Sequence, residues 1–392
     1  MPSEFTLLVE SWRQVSHSYA LVNQFQCLGF LRTPGLRLLH RDVPYLAKHW
    51  TACPGLFQPQ DEALLHAIPE PTQDSKPDAV LRLAFPYDFT PRADGAALFV
   101  FGTAENGTSP AGSIAGCDSP LLPVAMERSG AQLITPSKWC KEGFVNDGAP
   151  PDRVHVVPHG VDIERLHPLP IPEKLALRTS LGMAENQVVF LNIGSLTPNK
   201  GVLGLLRAFL PVARAYPEAR LLLKFNGALY SADHFRNGLL REFKPSDQAL
   251  LSRCVTLNGA HLSNADLARL YQAADAYVAP YFAEGFNLPA LEACACGLPV
   301  IATAGGPTDE FLPPTVLHPI ASRKIWTQRE GRKLLVLDPD LEDLALRMET
   351  IITDPAACAA AREHGPSHVR GHYQWHQVVQ RLVALLRGGS AR

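Results

Sequence analysis

Short runs of β-branched and apolar residues alternate along the chain with longer stretches whose apolar positions recur at helical period. This alternation predicts parallel sheets wrapped by crossover helices. In the first half, the stretches from Phe5 to Glu10, Leu36 to His40, Ala79 to Phe85, Ala96 to Phe101, Gln132 to Thr135 and Val154 to Val157 read as strands. In the second half, the stretches from Val188 to Ile193, Arg220 to Phe225, Val255 to Leu257, Ala276 to Ala279, Val300 to Thr303 and Leu334 to Leu337 do the same. Two similar α/β units follow. Between them, Pro158, Pro168, Pro170 and Pro172 interrupt regular structure and remove backbone donors. The reading places a first domain at 1–165, a second at 166–370, and a helical tail at 371–392 that is free to cross back onto the first. From Pro313 to Arg332, with Trp326, the pattern reads as a long irregular connection, either an acceptor lip or a packed surface loop.

At 392 residues the chain is long enough for two cores. Apolar residues make up 46%, charged residues 19%, and the formal net charge is -2, so no overall basic field gathers nucleic acid or an anionic membrane. The start lacks a basic region followed by an apolar core, and no run reaches the ~18 apolar residues that span a bilayer. A cytoplasmic chain is expected, free or peripheral at a membrane. The cysteines (27, 53, 117, 140, 254, 294, 296 and 358) are scattered without Cys-x2-Cys spacing, so reduced, mostly buried thiols are expected rather than zinc ligands or disulfides.

The densest chemical signal is Glu284-Gly-Phe-Asn-Leu-Pro-Ala-Leu-Glu292, after a strand and leading into a helix that ends near Gly297. Pro289 suits the first helical position, which puts Glu284 in the preceding loop, Glu292 in the first turn, and the backbone N–H groups of Phe286 to Leu288 outward. Such a helix start binds anions, a diphosphate being the natural occupant, and two carboxylates bracketing it can accept hydrogen bonds from hydroxyls. The plainer reading is that the two acids only offset the helix dipole. A second segment, Asn192-Ile-Gly-Ser-Leu-Thr-Pro-Asn-Lys-Gly201, joins a strand to a helix and can aim the Lys200 ammonium at phosphate, although most loop lysines are merely solvated. A third pairs Ile134-Thr-Pro-Ser-Lys-Trp139 with Val157-Pro-His-Gly-Val-Asp162, and its Pro158 to Gly160 also reads as a simple turn.

Together these segments, from about Leu133 to Phe311, resemble the retaining glycosyltransferases of family 4. The resemblance implies the GT-B architecture: two Rossmann-like α/β lobes with the nucleotide-sugar site in the cleft between them. It implies a nucleoside-diphosphate sugar as donor, no cofactor and no metal, and transfer of a hexose-type sugar to an acceptor that is a glycan, a lipid-linked sugar, a protein or a small molecule. By resemblance Lys200 meets the diphosphate and Glu284 the sugar hydroxyls, as the catalytic pair. The amides of Phe286, Asn287 and Leu288 meet the sugar or phosphate, and Glu292 the ribose. Gly194 and Ser195 line the phosphate loop, and His261 with Leu262, in the loop from Leu257, hold the base. His159 and Asp162 match the linker motif, where asparagine more often stands at the position of His159.

The sequence departs from the pattern in three respects: at Ser195, in the loop after the first strand, and in the first lobe's histidine. Ser195 stands where the family usually has an arginine, with Lys224 and Arg13 as candidate replacements on the phosphate or acceptor side. The glycine-rich loop after the first strand is replaced by Arg13-Gln-Val-Ser-His-Ser-Tyr19, in which His17 is a candidate for the first lobe's histidine and a locally satisfied histidine is the plainer reading. Asp338-Pro-Asp340 has the spacing of a metal-binding pair, but its place between a strand and a helix reads as a turn and cap. The rival functions are a non-catalytic sugar-nucleotide-binding or partner subunit, made plausible by Ser195 and the altered first loop, and a sugar-nucleotide epimerase.

Overall fold

The computed structural model describes residues 4–227, 240–329 and 332–389, and the chain divides into two compact units, Met1–Gly160 with Trp375–Arg392, and Val161–Gln374. The chain thus leaves the first unit at Gly160 rather than at 165, still inside the proline-rich stretch, and re-enters it at Trp375. Val161 N donates to Tyr373 O at 2.7 Å, so the second unit's first residue is stitched to its last but one.

The first unit holds β1 (Phe5–Ser11), β2 (Leu36–Asp42), β3 (Ala79–Leu83), β4 (Tyr87–Asp88), β5 (Ala97–Phe101), β6 (Ile114–Ala115), β7 (Gln132–Thr135) and β8 (Val154–Val156). β4 and β6 pair with each other, and the other six form a parallel sheet in the order β2-β1-β3-β5-β7-β8. All five residues of β3 are buried, as expected of a strand covered on both faces. Leu8, Val80, Val100 and Leu133 of the sheet meet Met126 and Phe144 of the covering helices. On another side of the unit, the helix Ser18–Leu31 and the C-terminal helix Trp375–Gly389 come together through Phe25 and Trp375, whose rings stack at 5.0 Å. A Cβ on Gly29 would lie 2.5 Å from Val379, so a side chain there would push these helices apart.

The second unit holds β9 (Val188–Ile193), β10 (Ala219–Lys224), β11 (Val255–Asn258), β12 (Ala276–Ala279), β13 (Val300–Thr303) and β14 (Leu317–Ile320), parallel and in the order β11-β10-β9-β12-β13-β14. The order of connection reverses between β9 and β12, and ligands of open α/β sheets bind outside the carboxyl ends of strands at such a point. The helix Val202–Ala215 covers the sheet with Leu205, Leu206, Phe209 and Val212, and Leu344, Met348 and Ile351 of the helix Leu341–Thr353 close the same core.

Two sequence expectations are corrected here. The sixth strand is Leu317–Ile320, while Leu334 to Leu337 lies in an antiparallel ribbon of β15 (Ser322–Arg329) and β16 (Arg332–Pro339). The supposed irregular connection from Pro313 to Arg332 therefore holds all of β14 and β15. Pro319 hid the first of them, because a proline argues against a central strand; β14 is an edge strand, where a missing N–H costs nothing in the ladder.

All eight cysteines are free thiols, five of them buried. Among the described residues no helix is long and apolar enough to cross a membrane, and no group of three or more His, Cys, Asp or Glu could hold a metal ion. In Asp338-Pro-Asp340, Asp338 is bridged to Arg323 at 2.8 Å, and Asp340 Oδ1 accepts from the amides of Glu342 and Asp343 at 2.9 and 3.1 Å, capping the next helix. Asp340→Ala is accordingly expected to lower unfolding stability by about 1 kcal/mol. Urea denaturation measures this, and an unchanged midpoint would remove the cap assignment.

Candidate functional site

The site is built from the loops that follow β9 and β12. Asn192, near the end of β9, donates through Nδ2 to Val278 O of β12 at 2.7 Å. Beyond it, Gly194 N donates to Lys224 O at 3.1 Å and the hydroxyls of Ser195 and Thr197 lie 2.6 Å apart. A single turn, Pro198–Lys200, then delivers the chain to Gly201 at φ +70. A Cβ on Gly201 would sit 1.8 Å from Pro280 O, so only glycine allows this loop to lie against the end of β12. The carbonyl of Asn199 accepts from Phe282 N at 2.8 Å, lacing the second loop to the first.

That lacing brings Lys200 and Glu284 together across 84 positions of sequence, Nζ to Oε2 at 2.6 Å, with 24% and 11% of their side chains exposed. Asn287 adopts φ +73 and caps the helix Leu288–Ala295 by accepting from Ala290 N at 3.2 Å. The Tyr277 hydroxyl lies 3.4 Å from the same Asn287 oxygen and 3.2 Å from Ile193 O, joining the two loops again. The helix starts one residue earlier than expected, which places Pro289 second and Glu292 one turn in. The Phe286 ring is buried and stacked on Phe311 at 4.4 Å, so the ring itself is not presented to a ligand.

Glu292 accepts a hydrogen bond from the Tyr271 hydroxyl at 2.5 Å. Burial pushes its carboxyl up to about 7, against the opposing effect of that hydrogen bond. Lys224, a candidate phosphate cation, instead donates to the carbonyls of Phe225 and Ala260 at 2.6 and 2.9 Å, and burial lowers it to about 8. Its ammonium binds the end of β10 to the loop after β11. That loop carries His261, exposed, and Leu262, half-buried.

In the first unit, the Arg13 guanidinium is committed to Asp42 at 2.6 and 2.8 Å and to Leu65 O at 2.6 Å, which makes it a tie between β1 and its surroundings rather than an open cation. His17 caps the helix Ser18–Leu31, its Nδ1 accepting from Tyr19 N at 3.2 Å, with its ring 5.4 Å from Trp12 and 5.2 Å from Trp50. His159 is buried beside Phe101, which lowers it to about 3 and keeps it neutral. Asp162 closes a turn, accepting from the amide of Glu164 and pairing with Arg165. Reading the sequence alone missed Asn199, Tyr271 and Tyr277. Each acts on a partner remote in the chain, and no local pattern marks them.

Residues 187–354 match the family of glycosyl transferases group 1. The matched span contains both loops, from Lys200 to Glu292. The chain is 30% identical over 237 residues to mannosylfructose-phosphate synthase of Agrobacterium fabrum, covering 60% of this chain and 48% of that protein. It is 29% identical over 248 residues to a GDP-mannose-dependent monoacylated alpha-(1-6)-phosphatidylinositol monomannoside mannosyltransferase of Corynebacterium glutamicum, covering 61% and 57%. The chain thus spans about half the length of the curated relatives it matches. Among solved structures it is similar to Anabaena Alr3699/HepE in complex with UDP and glucose, with a TM-score of 0.69 at 16% identity over 98% of this chain and 100% of that one. It is also similar to sucrose-phosphate synthase from Thermosynechococcus elongatus, with a TM-score of 0.65 at 17% identity over 98% of both chains. The fold is GT-B, with two Rossmann-like parallel-sheet units.

Glu292 gives this region a pH signature. Its folded-state value of about 7 lies above the ordinary 4.5, so its stabilising contribution is full below about pH 4.5 and is lost as pH rises through 7. Glu292→Gln stays neutral and still accepts from Tyr271. The variant is expected to match wild type near pH 4 and to exceed it near pH 8 by about 1 to 3 kcal/mol, since one unit of pKa corresponds to about 1.4 kcal/mol. Denaturation at both pH values measures the difference, and equal stabilities at pH 8 would show that Glu292 is ionised without cost.

Proposed function

We propose that this protein is a retaining, metal-independent glycosyltransferase that moves a hexose-type sugar from a nucleoside-diphosphate sugar to an acceptor. The observation that carries the reading is the Lys200–Glu284 pair at 2.6 Å, set beside a helix start at the point where the sheet order reverses. The group 1 family match over this region supports it, as do a relative named as a GDP-mannose-dependent mannosyltransferase and a similar structure holding UDP and glucose.

On this reading the diphosphate lies against Lys200, the Gly194–Ser195 turn and the amides of Phe286, Asn287 and Leu288. Glu284 accepts from sugar hydroxyls, Glu292 from the ribose, and His261 with Leu262 faces the base. Lys200 has three donors, so it can hold Glu284 and a phosphate oxygen together. Breaking the bond from the anomeric carbon to phosphate puts positive charge on the sugar and negative charge on the diphosphate. Fixed donors aimed at the diphosphate are then the main catalytic device. Attack on the same face, with the departing phosphate taking the acceptor's proton, retains configuration without a protein nucleophile. No cofactor takes part.

A non-catalytic sugar-nucleotide-binding subunit is the second reading, favoured by Ser195, which offers a hydroxyl where an arginine usually stands, and by Arg13, whose charge Asp42 already holds. An epimerase draws no support from relatives that carry transferase and synthase names.

Lys200→Met separates the two readings. Removing one preorganised donor from developing oxyanion charge costs about 3 to 4 kcal/mol, so turnover of UDP- or GDP-sugar, assayed with chelator present, is expected to fall roughly a hundred- to thousandfold. Transfer at the wild-type rate would move the diphosphate away from this loop, and donor binding without transfer by wild type itself would favour the non-catalytic subunit. In calorimetric titration, Glu292→Ala is expected to weaken both the free nucleoside diphosphate and the intact donor, and Glu284→Ala only the intact donor. Equal losses in both variants would contradict the division of roles.

A further inference from the structure

The ribbon of β15 and β16 stands outside both parallel sheets, and its root is tied to the site. Leu337 N donates to Phe282 O at 2.8 Å, two residues before Glu284, and Ser322 Oγ donates to Ala304 O at 2.6 Å. Register places Lys324 opposite Leu337, Trp326 opposite Leu335 and Gln328 opposite Lys333, so these six side chains share one face. At the root of that face Leu335 and Leu337 are buried, the latter against Gly306 and Tyr281. Farther out Trp326 is 48% exposed, with Lys333 Nζ 4.6 Å from its ring centre. The basic residues described on this face are Lys324 and Lys333, in a chain of net charge -2.

An exposed indole that shares its face with the lysines at 324 and 333 offers an apolar ring and positive charge side by side. We infer that this face is a binding subsite for a phosphate-bearing sugar or polyol, the acceptor side of the proposed transfer. The apolar C–H face of a sugar ring lies on the indole, while the ammonium groups of Lys324 and Lys333 meet the phosphate as compact point charges. Trp326 lies two residues along the strand, about 7 Å, from the Lys324–Leu337 pair that anchors the ribbon to the Glu284 loop. The inference therefore rests on Glu284 as the donor-sugar ligand. A bilayer is a poorer match. Ile325, the other exposed apolar side chain of β15, points to the opposite face, where Arg323 is bridged to Asp338 at 2.8 Å.

The test is direct binding to the full chain. Glucose 6-phosphate serves as the soluble probe and phosphatidylinositol vesicles as the lipid-borne one. Glucose, inorganic phosphate and phosphatidylserine vesicles are the controls. At least one of the two phosphate-bearing rings is expected to bind tenfold or more tightly than its controls. Trp326→Ala is expected to weaken that binding at least tenfold and Trp326→Phe to retain most of it. Lys333→Gln should weaken it and flatten its salt dependence. UDP-glucose affinity should stay within twofold in all three variants. Failure of both probes, wild-type affinity in Trp326→Ala, or equal binding of phosphatidylserine and phosphatidylinositol would each overturn the subsite. Absence of both UDP-sugar and GDP-sugar binding in wild type would instead overturn the donor reading, leaving the probe titrations to judge the subsite alone.

Discussion

The contact between Pro280 O and the bare Cα of Gly201 is the constraint on which the rest of the site depends. The two strand-to-helix loops start on neighbouring strands and lie against each other, and any side chain at 201 would hold them apart. Once they touch, Asn199 O takes the amide of Phe282 and Asn192 takes the carbonyl of Val278. The Lys200–Glu284 pair follows from that approach. Its charges are largely out of water, so removing one partner leaves the other exposed to the cost of burial, and the pair is a strong local determinant of geometry even where its net contribution to stability is small.

Charge around the strand ends is distributed sparingly. Lys200 faces a carboxylate, Glu292 faces a tyrosine hydroxyl, and Lys224 faces two carbonyls. Burial moves the last two in opposite directions, Glu292 up to about 7 and Lys224 down to about 8, so both change charge near neutrality. Titratable groups displaced toward neutrality and gathered at the carboxyl ends of strands are a usual mark of a working site. With Ser195 neutral and Lys224 held by carbonyls, Lys200 is the cation that the approach of the two loops pairs with Glu284.

What was legible in the sequence was whatever depends on near neighbours. Eleven of the twelve expected strands stand in the two parallel sheets, because runs such as Leu7-Leu-Val9 and Val278-Ala279 carry their burial in their own composition. The strand-to-helix turns at Gly201 and Asn287 were marked by glycine, proline and asparagine, residues whose backbone preferences act within a few positions. The two acids and the lysine of the motifs could be named, but not their partners. Lys200 meets Glu284, Tyr271 meets Glu292, and Arg13 meets Asp42 only after the chain has folded. The same holds for Lys224, whose burial and carbonyl partners turned a candidate phosphate ligand into a clamp, and for Pro319, acceptable in a strand only because that strand lies at an edge. Periodicity and turn chemistry are local and survive in a string of letters. Whether a charge is paired, buried or left facing a ligand is set by the elements packed around it, and only the tertiary structure decided that.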